Sequence, residues 1–168
     1  MKKFWFVIFI LFLFIIDRST KYLILKTPAE GILLFPEINF KLYLNQGIAF
    51  SLPLPNIISL FLTIIIILYL IYLLQKFIKN QQPQYFLPLS FLLIGSISNL
   101  FDRIRFGAII DFISIYFLPA FNLADAYIVS GLVILIINLP SYYSVSATNA
   151  ESSKTVTGDS AAKHDFSK

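Results

Sequence analysis

Two aspartates are the residues of this sequence best suited to chemistry, because no positive charge lies near them. Asp111 and Asp125 fall in a stretch between Arg105 and Lys154 that contains no lysine or arginine. Two carboxylates that meet at low dielectric take different pKa values, so that one is protonated while the other is ionised. Such a pair can activate a water molecule and protonate a leaving group. Asn122 lies one helical turn before Asp125, where it could orient that carboxylate.

Other catalytic chemistries are largely excluded by the composition. The chain has no cysteine and a single histidine, His164, so thiolate nucleophiles, cysteine or histidine metal clusters and a Ser-His-Asp triad are ruled out. We expect no metal and no cofactor. A Ser-Lys hydrolase remains an alternative. Ser19 lies two residues from Lys21 and diverges from it on a helix, whereas Ser96 or Ser98 could meet Lys21 only through tertiary contact.

A further group of polar residues lies on one face of the third apolar segment. The group consists of Gly95, Asn99, Asp102 and Arg103, which recur with the helical period. The small residues Gly95 and Ser98 would let a neighbouring backbone approach closely. Asn99 would hydrogen-bond across that interface.

Two more acidic residues have basic neighbours. Asp17 and Lys21 form an i,i+4 pair with the acid first, which is the favourable order on a helix, and the pair could be structural or catalytic. Asp102 has Arg103 beside it and Arg105 nearby, so its charge can be compensated locally.

These residues interrupt a very apolar chain. Of its 168 residues, 58% are hydrophobic and only 13% are charged, and the mean hydropathy is +0.80. A soluble domain has about 25% charged residues, so the composition indicates a membrane protein. We predict an all-α membrane domain over residues 1–142, with four transmembrane helices and a small extracytoplasmic β-sheet. The predicted helices cover residues 4–25, 57–75, 86–104 and 121–140.

The outer β region is predicted over residues 32–54 and 107–117. Ile38–Asn45 alternates apolar with more polar residues, which is the pattern of a half-buried strand. Asn45-Gln46-Gly47 follows as a turn, and Ala108–Tyr116 is a second β-prone run. A small sheet on the outer membrane face accounts for both runs.

Positive charge beside the apolar segments predicts their orientation. Lys2 and Lys3 precede the first segment, and Lys76 and Lys79 follow the second, so both termini are expected in the cytoplasm. Residues 143–168 are rich in small and charged residues and are expected to form a disordered cytoplasmic tail. We interpret the first segment as a retained helix, because no small-residue cleavage site follows it as in a signal peptide. The net positive charge belongs to the apolar body, so no nucleic-acid partner is expected.

The polar residues of separate segments agree on one depth in the membrane. At a rise of 1.5 Å per residue, Asp17 and Asn99 each lie about 20 Å along their helices from the inner side. Asn122 and Asp125 begin the fourth span, and Asp111 lies in the outer loop before it. Intramembrane acids usually line a bundle interior or a wet cavity. Besides hydrolysis, two functions remain open: an ion- or proton-coupled transporter subunit, and a non-enzymatic scaffold.

Blocks of these residues resemble the lipoprotein (type II) signal peptidases, which are bacterial membrane aspartyl proteases. The matching blocks are Asp17-Arg-Ser-Thr-Lys21, Asn45-Gln-Gly-Ile-Ala-Phe50, Gly95-Ser-Ile-Ser-Asn99-Leu-Phe-Asp102-Arg103, Gly107-Ala-Ile-Ile-Asp111-Phe112 and Phe121-Asn122-Leu-Ala124-Asp125. The resemblance covers nearly all of residues 1–140, and the combination of blocks is highly specific. Ser98 stands where the family usually has glycine, and Ile109 where valine is common, so we expect a slightly less close helix approach at Ser98.

The resemblance implies a protease that removes the signal peptide of a diacylglyceryl-modified prolipoprotein by cutting just before the lipidated cysteine. It implies that Asp111 and Asp125 form the catalytic dyad. Substrate positioning or support of the site is implied for Asn45, Gly47, Gly95, Asn99, Arg103, Asn122 and Ala124. A structural role is implied for Asp17, Lys21 and Asp102. The implied partners are membrane lipids and the cyclic peptide inhibitor globomycin, and the implied location is the bacterial cytoplasmic (inner) membrane, with the site near its extracytoplasmic face.

Overall fold

Four long helices form the body of the computed structural model, which describes residues 2–28, 30–35, 37–47 and 55–138. The helices are α1 (Lys2–Ile24), α2 (Asn56–Lys79), α3 (Phe86–Phe106) and α4 (Leu123–Asn138). A 3₁₀ turn, Pro83–Tyr85, leads directly into α3. Helix α3 contacts both α1 and α2, and it therefore forms the centre of the fold.

Two segments are long and apolar enough to cross a membrane by length and composition, Asn56–Lys79 and Pro83–Phe106. Helix α1 contains three charged residues in its second half, Asp17, Arg18 and Lys21. The described part of α4 is a shorter apolar helix. Residues 139–140 of the fourth predicted span and the predicted tail, 143–168, lie outside the described residues.

A four-stranded antiparallel sheet connects the helices at one end of the bundle. Its strands are β1 (Ile32–Phe35), β2 (Ile38–Asn45), β3 (Ile109–Ile115) and β4 (Leu118–Phe121), in that spatial order. Strand β4 was not predicted, since an apolar run does not by itself distinguish a strand from a helix start. The fourth helix therefore begins at Leu123 and not at residue 121. Residues 48–54 of the predicted β region lie outside the described residues.

Strand β2 covers the alternating run, but a bulge interrupts the alternation. Phe40 and Leu42 pack against the apolar cluster around Ile110. The register between β2 and β3 then shifts between Phe40 and Tyr43. Leu44, which the simple alternation places on the same face as Phe40, is 55% exposed. The bulge therefore changes the face that the last residues of β2 present to the site.

Small residues bring α3 and α4 into backbone contact. A Cβ added at Gly95 would lie 2.5 Å from the carbonyl oxygen of Ala124 and 2.7 Å from Cγ1 of Ile128. Such distances are too short for any side chain, so the close approach predicted for Gly95 is confirmed. The first turn of α4 rests directly on α3 at this point.

Gly95→Ala is expected to lower the melting temperature of the purified protein in detergent. The added methyl group meets the backbone of α4, which cannot move aside as a flexible side chain would, and overpacking of this kind costs about 1–3 kcal/mol. The neighbouring Ser96→Ala removes one hydroxyl oxygen, adds no bulk and serves as the control. Equal melting temperatures for Gly95→Ala and the wild type would contradict the close contact.

Candidate active site

A buried cluster of four charges joins α1 to α3. Lys21 Nζ lies 3.2 Å from Asp17 Oδ2 and 2.7 Å from Asp102 Oδ2. Arg18 NH1 lies 2.6 Å from Asp102 Oδ1. The predicted pairing of Asp17 with Lys21 is therefore formed, and it is part of a larger network in which two cations balance two carboxylates.

The prediction that Arg103 and Arg105 neutralise Asp102 is wrong. Both cations that contact Asp102 come from α1, as described above. Adjacent positions on a helix do not face each other, so Arg103 points elsewhere, and Arg105 is exposed. Sequence proximity was a poor guide because the partners of Asp102 lie about 80 residues away.

The remaining carboxylate contacts of this cluster fix two backbone positions. Asp102 Oδ2 accepts a hydrogen bond from the backbone N–H of Ile110 at 3.3 Å. Asp17 Oδ1 accepts one from the backbone N–H of Ala124 at 2.9 Å. Each of these N–H groups belongs to the residue directly before one of the two aspartates singled out in the sequence. The charged cluster therefore positions the start of β3 and the first turn of α4.

Ser98 has a polar role that the sequence did not reveal. Its hydroxyl donates a hydrogen bond to Asp17 Oδ2 and accepts one from Arg18 NH1 at 3.1 Å. Lys21 contacts carboxylates and an asparagine, and within the described residues it has no hydrogen bond to Ser98. The Ser-Lys pair that a hydrolase of that type would need is thus not formed between these residues.

Asn99 connects the charged cluster to Asp125. Lys21 Nζ donates to Asn99 Oδ1 at 3.0 Å, and Asn99 Nδ2 donates to Asp125 Oδ1 at 2.8 Å. The ammonium group fixes which end of the Asn99 amide faces the carboxylate. The predicted hydrogen bonding of Asn99 across the helix interface is confirmed, and the charge of Lys21 is held one residue away from Asp125.

Asp111, in β3, accepts hydrogen bonds from two asparagines. Asn122 Nδ2 donates to Asp111 Oδ1 at 2.7 Å, and Asn45 Nδ2 donates to Oδ2 at 3.0 Å. The Oδ1 atom of Asn45 accepts a hydrogen bond from the backbone N–H of Gly47 at 3.0 Å, which closes the turn after β2. The predicted turn thereby orients one of the two amides that bind Asp111.

Asp125 and Asn122 cap α4 reciprocally. Asn122 Oδ1 accepts a hydrogen bond from the Asp125 backbone N–H at 2.9 Å, and Asp125 Oδ2 accepts one from the Asn122 N–H at 3.2 Å. This arrangement is a capping box, in which the positive end of the helix dipole favours a negative side chain. Because Asn122 also binds Asp111, this one residue determines how the two aspartates lie relative to each other.

The two aspartates lie within electrostatic range of Lys21 and Arg103 but, in the described part of the chain, form no ion pair with either. Within the described residues, Asp111 and Asp125 form no ion pair, as the sequence predicted. Burial raises the pKa of Asp111 from 3.8 to about 6, and the charge of Asp125 is the second cause of the increase. Hydrogen bonds from Asn45 and Asn122, and the charge of Lys21, oppose this shift in the pKa of Asp111.

This raised pKa predicts a pH dependence of stability that Asp111→Asn removes. The folded state holds the Asp111 proton more tightly than the unfolded chain, so this stabilisation is fully present below pH 3.8 and is lost as the pH rises through about 6. Between acidic and neutral pH, the free energy of unfolding of the asparagine variant should therefore rise by up to about 3 kcal/mol relative to that of the wild type. Melting curves of both proteins at several pH values test this, and a constant difference between them would contradict it.

Arg103 ties α3 to α2 and to the turn after β2. Its NH1 donates to Thr63 Oγ1 at 3.3 Å, and its NH2 donates to the Gly47 carbonyl at 3.4 Å. Its Nε is buried and has no hydrogen-bond partner within the described residues. Thr63 and Arg18 were not among the predicted site residues, although Arg18 lies inside the block from Asp17 to Lys21.

The predicted site residues thus meet at one end of the bundle. The set that lies within three contacts of the two aspartates comprises Asn45, Gly47, Gly95, Asn99, Arg103, Asn122, Ala124, Asp17, Lys21 and Asp102. Two neighbouring carboxylates that form no ion pair within the described residues are suited to acid–base hydrolysis.

Comparison with known proteins supports an enzymatic site. A lipoprotein signal peptidase from Caldanaerobacter subterraneus subsp. tengcongensis is 36% identical over 137 residues, which cover 77% of this chain and 91% of that protein. A lipoprotein signal peptidase from Wigglesworthia glossinidia brevipalpis is 37% identical over 139 residues, which cover 77% and 90% of the two chains.

The fold is also similar to solved structures of bacterial membrane enzymes. One, obtained by the in meso method at 2.3 Å resolution, has a TM-score of 0.72 and 28% identity, and the match covers 80% of this chain and 87% of that one. Residues 9–140 match the family described as signal peptidase (SPase) II. With the site geometry, these matches lead to one conclusion: the chain is a membrane enzyme that belongs to the signal peptidase II family.

Proposed function

We propose that this protein removes the signal peptide from diacylglyceryl-modified prolipoproteins, cutting the peptide bond just before the lipidated cysteine. The observation that carries the proposal is the pair of carboxylates of Asp111 and Asp125, which form no ion pair within the described residues and are both hydrogen-bonded to Asn122. Membership of an aspartyl peptidase family favours this hydrolysis over the ion-coupled transport that the sequence alone left open.

The two aspartates take different roles in the proposed reaction. Asp125, at the positive end of α4, is the ionised base that takes a proton from water as the water oxygen attacks the carbonyl carbon. Asp111 is the acid that gives its proton to the carbonyl oxygen, because its pKa, raised to about 6, lets it hold a proton more readily than an ordinary carboxyl does. The tetrahedral intermediate then loses the amine, which receives the proton from Asp125. One hydroxyl proton returns to Asp111, so both carboxyl groups regain their starting states.

The neighbouring residues support this dyad. Asn45, Asn99 and Asn122 hold the two carboxylates by their amide groups. Arg103 holds the carbonyl of Gly47, at the turn that leads towards the site. The cluster of Asp17, Lys21 and Asp102 positions the dyad through hydrogen bonds to the backbone N–H groups just before the two aspartates. The close approach of Gly95 to Ala124 supports the same position of α4.

In the proposed topology the four helices cross the bacterial cytoplasmic membrane with both termini in the cytoplasm. Lys76 and Lys79 lie in the last turn of α2, at the end opposite the sheet, as the positive-inside rule requires for a cytoplasmic end. The sheet and the dyad then lie near the extracytoplasmic face, where the lipidated cysteine of a substrate would be anchored. Globomycin is expected to compete with the substrate at this site.

The test is cleavage of a prolipoprotein by the purified protein in detergent. The same precursor is prepared with and without the diacylglyceryl group, and the products are identified by mass spectrometry. We expect cleavage of the lipidated form alone, directly before the modified cysteine, and inhibition by globomycin. Equal cleavage of both precursors, or cleavage at another bond, would contradict the proposed substrate.

A further inference from the structure

A groove between α1 and α3 has no role in the proposed reaction. It has a volume of about 300 Å³. Two arginines and several aromatic side chains line it, among them Phe14, Arg18, Tyr22, Phe101, Arg105 and Phe106. The α1 residues that line the groove recur at helical spacing. They form a row on α1 next to the row that contains Asp17 and Lys21. The groove therefore opens on a different face of α1 from the one that contacts the active site.

Cations stacked on aromatic rings are concentrated around this groove. Within the described residues there are three such contacts: Arg18 Cζ at 4.6 Å from the Phe101 ring centre, Arg105 Cζ at 5.4 Å from that of Phe106, and Lys26 Nζ at 4.3 Å from that of Tyr22. Stacking holds the charged groups against the groove walls. Arg18 NH1 already donates to Ser98 and Asp102, whereas Arg105 donates no hydrogen bond to the described residues.

The positive charge at the groove is only partly balanced. The charge of Arg18 is compensated by Asp102 at 2.6 Å. Arg105 and Lys26, by contrast, form no ion pair in the part of the chain that the structure describes. Arg105 is also exposed, so its guanidinium group is free to bind an anion.

We propose that this groove binds an anionic glycerophospholipid, with its phosphate at Arg105 and Arg18 and an acyl chain along Phe14 and Phe101. A guanidinium group matches the geometry of phosphate oxygens with two parallel hydrogen bonds. The apolar rings suit an acyl chain and would repel a free hydrophilic anion. The diacylglyceryl group of a prolipoprotein contains no phosphate, so the proposed substrate would not make this phosphate contact.

The position of the groove supports a lipid as the occupant. In the proposed orientation it lies at the extracytoplasmic ends of α1 and α3, at the depth of lipid headgroups. Lysine and arginine normally accumulate on the cytoplasmic side of a membrane protein. Arg105 and Lys26 depart from that rule, and binding of an anionic headgroup gives their charges a partner.

Native mass spectrometry of the delipidated full-length protein tests the proposal. The protein is titrated with dioctanoyl phosphatidylglycerol, with dioctanoyl phosphatidylcholine, which has no net charge, and with inorganic phosphate. Each cation near a lipid surface contributes about fivefold in affinity. We therefore expect phosphatidylglycerol to bind at least about fivefold more tightly than phosphatidylcholine, and inorganic phosphate not to compete.

Arg105→Gln should remove most of this preference, and Lys41→Gln provides the matched control. Lys41 lies in β2 outside the groove, so its loss lowers the net charge equally without changing the proposed site. Arg105→Lys keeps the charge but removes the planar guanidinium group, and it should give an intermediate preference for phosphatidylglycerol. The proposal would be overturned if the wild type bound both lipids equally, or if Arg105→Gln kept the same preference. It would also be overturned if inorganic phosphate competed as well as the lipid. None of these measurements depends on peptide cleavage, so the outcome is independent of the proposed reaction.

Discussion

Replacing either Asp111 or Asp125 by asparagine is expected to abolish cleavage of a lipidated precursor. An amide of the same shape cannot take a proton from water or give one to a carbonyl oxygen, and acid–base catalysis of this kind contributes about 10² to 10⁴ in rate per group. Each amide keeps one acceptor oxygen, so one of the two hydrogen bonds that each carboxylate accepts is retained. The variants should therefore fold and fail in catalysis.

The measurement is the initial rate of cleavage in detergent, with a melting curve for every variant. Glu37→Gln is the matched control, because it neutralises an exposed carboxylate in the turn between β1 and β2. We expect it to cleave at the wild-type rate. More than a few per cent of activity in either purified aspartate variant would refute the dyad. If both variants instead lost as much stability as Asp17→Asn, the purely structural interpretation of these residues would be favoured.

Lys21→Met is expected to cause the largest loss of stability among the substitutions considered. Lys21 is fully buried and lies within 3.2 Å of Asp17, Asp102 and Asn99. Its removal leaves two buried carboxylates with only Arg18 to balance them, and breaking a buried ion pair in this way costs about 3–5 kcal/mol. The orientation of the Asn99 amide is lost as well, so cleavage should fall together with stability.

Lys41→Met is the control, because Lys41 has no ion pair among the described residues. Stability is measured by thermal melting and by unfolding in increasing amounts of a denaturing detergent. We expect the control to unfold as the wild type does, and Lys21→Met to unfold at a clearly lower temperature and detergent fraction. Wild-type unfolding of Lys21→Met would show that the charged cluster contributes nothing to the fold.

Part of the site could be predicted from the sequence, because the lack of basic residues around the two aspartates can be seen directly in it. The lack of lysine or arginine near Asp111 and Asp125 is visible in the sequence, and both side chains remain without an ion pair among the described residues. The spacing of Asn122 and Asp125 also sufficed, because a capping interaction spans a single turn. Local spacing is informative wherever one turn of helix determines the contact.

Contacts between distant segments could not be predicted in this way. The cations of Asp102 come from α1, and the prediction that assigned them to Arg103 and Arg105 was wrong. The hydrogen bond of the Ser98 hydroxyl and the contact of Arg103 with Thr63 could not be predicted either, because each depends on how two helices are rotated against each other. Strand β4 was missed because its apolar residues merge with those of the helix that follows.

The sequence by itself determined that this protein is highly apolar and that two of its aspartates have no lysine or arginine nearby in the chain. These properties depend on composition and on periods of a few residues, which the order of residues specifies directly. Only the tertiary structure decided that the buried ions position Ile110 and Ala124, the residues just before the two aspartates. Those hydrogen bonds join groups eight and 107 positions apart in the chain, and the packing of α1 and α4 against α3 is what brings the more distant pair together.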